Sequence, residues 1–261
     1  MTVLDEASLA PTVPPGEPGP ATMTLAAHLT ELRHRLIVSV VALTVGTVAA
    51  WFLYNHAVAF MIAPYRDFVL HHPHKDISAG NLVTTGPLEG FTTRITISAY
   101  LGVVVAAPVC LWEFWRFVTP GLNKSERRYA GPFIVAAVTL FALGVTTAVF
   151  IFPKAIAWMI TVSGNGIVPL FSPSKYFGLY ALCCIIFGAA FTYPVILVFL
   201  QLVGVLSSAK LRKWRRYAIV LIVAVAAVIT PSNDPFSFTA MALPLLIFYE
   251  GSILVGRLLR K

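Results

Sequence analysis

Carboxylates are scarce in this chain, and two of them stand where a cation would be their natural ligand. After the first 23 residues, Glu31 and Glu126 are nearly the only carboxylates in segments otherwise rich in Lys and Arg. A basic face repels cations in general. An isolated carboxylate on it is a selective acceptor for guanidinium, which it binds through two parallel hydrogen bonds. Glu31 lies in His28-Leu29-Thr30-Glu31-Leu32-Arg33-His34-Arg35-Leu36. Leu25, Leu29, Leu32 and Leu36 recur at helical spacing, which predicts an amphipathic helix. Glu31 is four residues before Arg35, so a local ion pair is the plainer role for it. Glu126 lies in a turn-rich stretch, Phe117 to Tyr129, with Arg127 and Arg128 beside it. There Ser125 can cap a helix and Glu126 can sit in its first turn, again a purely structural role.

Other charges fall inside apolar runs. Glu113 and Arg116 are three apart and can pair. Glu250 precedes Arg257 by seven residues, about 10 Å along a helix. A carboxylate inside a membrane is costly and marks function by default. A proton or ion path is therefore one reading, but it needs a chain of such groups and the sequence does not supply one. Asp234-Pro235 suits a helix start, with Asp as N-cap and Pro at the first helical position. His56, His71, His72 and His74 read as a solvated loop rather than a metal site. No phosphate-binding glycine loop of the GxxxxGK type is present. Nothing points to an enzyme, a cofactor or a bound metal.

The elements that must position these residues are membrane helices. Of 261 residues, 58% are hydrophobic and 11% charged, with mean hydropathy +0.82. A soluble domain has about 25% charged residues, so a soluble enzyme and a disordered protein are both excluded. Three cysteines make no disulfide framework. The net charge of +8 does not indicate nucleic acid, because the cations cluster between long apolar runs, as topology signals do.

Residues 1–23 are rich in Pro and Gly and lack Lys and Arg; they are predicted to be a disordered tail. The membrane domain is expected over 24–256, with a basic tail at 257–261. Six spans are expected, at 36–55, 95–118, 129–152, 176–204, 217–230 and 235–255. The fifth, at about 21 Å, is short for a hydrocarbon core of about 30 Å, which suggests a locally thinned bilayer. Six crossings put both termini on one side. With that side as the cytoplasm, fourteen of the nineteen Lys and Arg residues are inside, so both termini are expected to be cytoplasmic. Loops at about 56–93 and 153–175 are expected to form an outer cap of short helices and turns. Pro108, Pro194 and Pro244 lie inside the second, fourth and sixth spans and are expected to bend them. The expected fold is an all-α bundle of kinked helices with a concave wall.

Several of these segments together resemble the TatC family, the multi-spanning receptors of the twin-arginine protein translocase. They are HLTELRHRL at 28–36, IAP ending at Pro64, PLEGFTTRI at 87–95, APVCLWEFWRFVTPGLNKSERRYAGPF at 107–133, FTYPVILVFL at 191–200 and ITPSNDPFSFTAMALPLLIFYE at 229–250. The resemblance covers nearly all of the chain after the tail. It implies a non-enzymatic receptor in the cytoplasmic membrane. Such a receptor binds twin-arginine signal peptides, docks TatA-type and TatB-type single-span subunits, associates with itself, and exports folded proteins on the proton-motive force. The family's two recognition glutamates match Glu31 and Glu126. Arg33, Arg127, Arg128 and Phe117 match positions tied to recognition or assembly, and Pro64 and Asp234 match outer-side functional positions. Family members often carry Glu or Gln where this chain has Thr192, a position implied in partner docking that Thr230 would share. The rival class is a small-solute or proton-coupled transporter using Glu250, Glu113 and Arg116.

Overall fold

The computed structural model describes residues 25–71, 82–84, 86–118, 130–163, 171–230 and 234–259. The described residues form helices and short connections, with no strand among them. The predicted tail, the Glu126 turn, His72 and His74 lie outside them.

Helix α1 (Leu25–His71) has 47 residues, about 70 Å. A bilayer with its headgroups is about 40–45 Å thick, so α1 must project beyond it even when tilted. Helix α2 (Glu89–Val118) and α3 (Ala130–Val162) follow. Next come α4 (Pro173–Phe191) and α5 (Tyr193–Leu202), separated by a single residue. Helix α6 (Ser208–Lys213) is a short connector to α7 (Arg215–Ile229), and α8 (Pro235–Leu259) completes the described chain.

Among the described residues, five stretches are long and apolar enough to cross a membrane: Leu29–Asp67, Glu89–Val118, Ala130–Val162, Pro173–Leu202 and Pro235–Leu258. The remaining expected span, the fifth at 217–230, corresponds to α7. Its 15 residues extend about 22 Å, too little to be counted on length.

The expected outer cap requires correction. Residues 56–71 are not cap but a continuation of α1, and 153–162 continue α3. Val58, Met61, Ile62 and Tyr65 keep helical spacing and face the core, so burial holds the helix through Pro64. That proline cannot donate to the carbonyl four residues back. One residue along, the Met61 carbonyl instead accepts from Tyr176 Oη at 3.1 Å.

The break between α4 and α5 follows from Pro194, as expected. Thr192 takes up a tight turn, its N–H reaching the Ala189 carbonyl at 3.2 Å. Where α5 ends, Gly204 has φ 83°, a conformation that side chains with a Cβ disfavour.

Helices pack closely where side chains are absent. A Cβ on Gly144 of α3 would lie 2.3 Å from the Phe187 carbonyl oxygen of α4. Small residues let membrane helices approach backbone to backbone. The larger core cluster surrounds α4, with Phe152 stacked on Tyr180 at 4.2 Å. A second cluster joins α2, α3 and α5 through Trp115, Phe133 and Val198.

Candidate functional site

The N-terminal part of α1, the C-terminal part of α2 and the N-terminus of α3 meet at one end of the bundle. Helix α5 reaches the same end through Val198 and Phe199, packed with Trp115 and Phe133, and α6 and α8 are tied to it through Gln201, Ser252 and Tyr249. It holds nine of the thirteen Lys and Arg residues in the described chain.

Three charged side chains converge here. Arg35 Nε donates to Glu31 Oε1 at 3.1 Å, and Nη2 of the same guanidinium contacts the same oxygen. Arg35 Nη1 donates to Glu113 Oε2 at 3.0 Å. The three side chains are only 14%, 21% and 11% exposed for Arg35, Glu31 and Glu113. Helical spacing places Glu31 one turn from Arg35, and the packing of α1 on α2 brings in Glu113. Two carboxylates and one guanidinium leave one net negative charge on a basic end. Glu31 Oε2 is buried with no hydrogen-bond partner among the described residues. A buried carboxylate oxygen without a donor is costly. The cluster can therefore accept a further cationic donor.

The expected Glu113–Arg116 pair is corrected. Glu113 points toward α1 and takes Arg35, while Arg116 is exposed. A cation on a neighbouring helix reaches Glu113 in a direction that a residue three positions along α2 does not share. Arg33 is exposed and Phe117 half-buried. Glu126, Arg127 and Arg128 lie outside the described residues. The helices that bracket them are joined where Trp115 stacks on Phe133 at 5.5 Å. Helix α2 ends at Val118, five residues past Glu113, and α3 begins at Ala130.

Glu250 is also corrected. It is not a lone intramembrane carboxylate but is 46% exposed and paired with Arg215 of α7. Thr192 Oγ1 donates to the Ala189 carbonyl at 2.7 Å, and Thr230 Oγ1 to the Ala226 carbonyl at 2.5 Å. The Thr192 hydroxyl is thus used locally, while Thr230 Oγ1 also lies 3.8 Å from Met241 Sδ of α8. Asp234 is buried, and its Oδ1 accepts from Ser237 N at 2.8 Å, the expected N-cap. Pro64 lies within α1, not in a loop. No group of three or more potential metal ligands exists among the described residues.

Sequence reasoning missed Gln201, which is fully buried. Its Nε2 donates to the Ser252 carbonyl at 2.9 Å and its Oε1 accepts from Ser208 Oγ at 2.8 Å. It ties α5 to α6 and α8. A lone amide in the run Phe199-Leu200-Gln201-Leu202 is the signal that marks it. Arg94 was likewise unassigned. Its guanidinium lies 4.4 Å from the Trp51 ring centroid and donates to the Trp51 carbonyl at 3.3 Å.

Comparison with known proteins agrees with this architecture. The family model described as "Sec-independent protein translocase protein (TatC)" matches residues 27–244. The TatC protein of Aquifex aeolicus (strain VF5) is 35% identical over 240 residues, 90% of this chain and 95% of its own length. That of Frankia casuarinae is 35% identical over 238 residues, and the chain spans 65% of that longer protein. A crystal structure of the twin arginine translocase receptor TatC in DDM superposes with TM-score 0.72 at 32% identity, covering 88% of this chain and 99% of that one. With the matching family model, the relatives and the shared fold in agreement, this chain belongs to the TatC family of Sec-independent protein translocase proteins.

Proposed function

We propose that this chain is the receptor of a twin-arginine translocase and that Glu31 is part of the surface that receives the arginines. It is a multi-pass membrane protein of a translocase family, not an enzyme. The observation that carries the site is the cluster of Glu31, Arg35 and Glu113, with its net negative charge and the unpartnered Glu31 Oε2. An arginine can donate a charge-assisted hydrogen bond to that oxygen. Glu126, Arg127 and Arg128 complete the surface from the segment between α2 and α3, with Arg33 and Phe117 at its rim.

The orientation follows from charge. The basic end faces the cytoplasm, α7 crosses as a sixth, short span, and the membrane is the inner one. Single-span subunits of the TatA and TatB kinds dock on the later helices. An apolar groove of ≈ 630 Å³ between α4, α5, α7 and α8, lined by Tyr193, Leu197, Ile222 and Leu245 among others, supports this placement. Thr192 and Thr230 shape the backbone along it, and Pro64 and Asp234 fix the opposite end. Self-association, bilayer thinning at α7 and drive from the proton-motive force complete the reading.

A transporter path is not favoured: Glu113 and Glu250 are each tied to a different arginine. The deciding experiment places a photo-reactive group in the segment holding Glu126 and compares a twin-arginine signal peptide with its twin-lysine form in membranes. Arginine-dependent crosslinks that are lost in Glu31→Gln and Glu126→Ala support the site. Equal labelling by both peptides, insensitive to both substitutions, refutes it.

A further inference from the structure

A pocket at the basic end has no part in the reading above. It is lined by Ser208, Ala209, Arg212 and Lys213 of α6 and by Arg257 near the end of α8. It encloses ≈ 640 Å³ and opens outward. Among the described residues, none of its three cations has a carboxylate partner, whereas neighbouring Arg215 is paired with Glu250. Lys210 and Arg216 lie over the rings of Trp214 and Tyr217. Three unpaired cations around one concavity repel one another unless an anion is shared among them.

The depth of the pocket identifies the anion's source. Trp214 and Tyr217 are 54% and 63% exposed, immediately beyond Lys213. Exposed Trp and Tyr mark the boundary between membrane and water. Past them, α7 shows Ile219, Val220 and Leu221 on its surface, and α8 shows Leu254 and Leu258 on either side of Arg257. Arg212, Lys213 and Arg257 are thus held at headgroup level, with acyl-chain surface directly adjoining. Ser208 keeps the wall rigid, since its hydroxyl is held by buried Gln201.

We propose that this pocket binds the phosphate headgroup of an anionic phospholipid, clasping α6 to the end of α8. A basic pocket between membrane helices at this depth is suited to such headgroups. The bond is charge-assisted, from guanidinium and ammonium donors to phosphodiester oxygens. Free phosphate shares that chemistry but lacks the acyl chains that would lie on Leu254 and Leu258.

The test uses the purified full chain in nanodiscs of phosphatidylcholine doped with fluorescent phosphatidylglycerol, read by energy transfer from the protein's tryptophans. Three forms are compared with wild type: R212Q/K213Q/R257Q, the charge-preserving R212K/K213R/R257K, and R66Q/K154Q/K175Q, which removes equal charge at the opposite end. Enrichment of phosphatidylglycerol around the wild type is expected to survive in the second and third forms. It is expected to weaken in the first, about fivefold per cation removed. Inorganic phosphate at millimolar concentration is expected not to displace the lipid. Equal enrichment in all four forms overturns the proposal, as does an equal loss in the opposite-end control. Displacement by inorganic phosphate alone overturns the lipid assignment.

Discussion

Arg35 bonds Glu31 on its own helix and Glu113 on the next, so one guanidinium both orders the candidate recognition carboxylate and joins α1 to α2. An arginine that bonded Glu31 as proposed would meet a carboxylate whose Oε1 is already fixed. Such preorganisation lowers the cost of binding.

If Arg35 couples the two helices, R35Q and E113Q are not additive. Each single substitution is expected to destabilise the purified protein by about 1–2 kcal/mol, since the pair is largely but not wholly buried. The double substitution is expected to cost about 1 kcal/mol less than their sum. Thermal unfolding in detergent measures the cycle, and strict additivity would show that the two groups do not interact.

The close approach of α3 and α4 makes Gly144 intolerant. Gly144→Val is expected to lower stability by about 1–3 kcal/mol, because the new Cβ meets the Phe187 carbonyl rather than a movable side chain. Gly131→Ala, with open space around it, is expected to be neutral or slightly stabilising. Similar melting shifts for the two would contradict the backbone contact.

Gln201 is predicted to act as a unit with Ser208. Gln201→Leu strands a buried hydroxyl and a buried carbonyl, at about 2 kcal/mol. Adding Ser208→Ala removes the stranded hydroxyl and is expected to recover part of that loss. No recovery in the unfolding curve would mean that the cost is one of shape alone.

Glu250 separates the receptor from a transporter. Its pair with Arg215 is about half exposed, and such pairs contribute about 0–1 kcal/mol. Glu250→Gln is expected to leave export of a twin-arginine reporter within about twofold of wild type, while Glu31→Gln abolishes most of it. The reverse order of effects would favour a polar path through the bundle.

Much of the helix pattern was legible in advance because apolar length is a local property. The starts of the third and sixth spans fell within a residue of the observed helices, and Pro194 and Asp234-Pro235 marked a real break and a real helix start. The ends of α1 and α3 were misjudged because prolines and polar residues read as loop. Burial against neighbouring helices holds them helical.

The sequence by itself determined the class of the molecule: apolar stretches of membrane length, cations gathered at one end, and the motifs around Glu31 and Glu126. It also determined the Glu31–Arg35 pair, which a single helical turn requires. Only the tertiary structure decided that Glu113 belongs to Arg35 rather than Arg116, that Glu250 is matched by Arg215, and that Gln201 ties three helices together. These partners lie 78, 35 and 51 residues apart. Spacing along one helix specifies which face a side chain occupies, but the rotation of one helix against another specifies what it meets there.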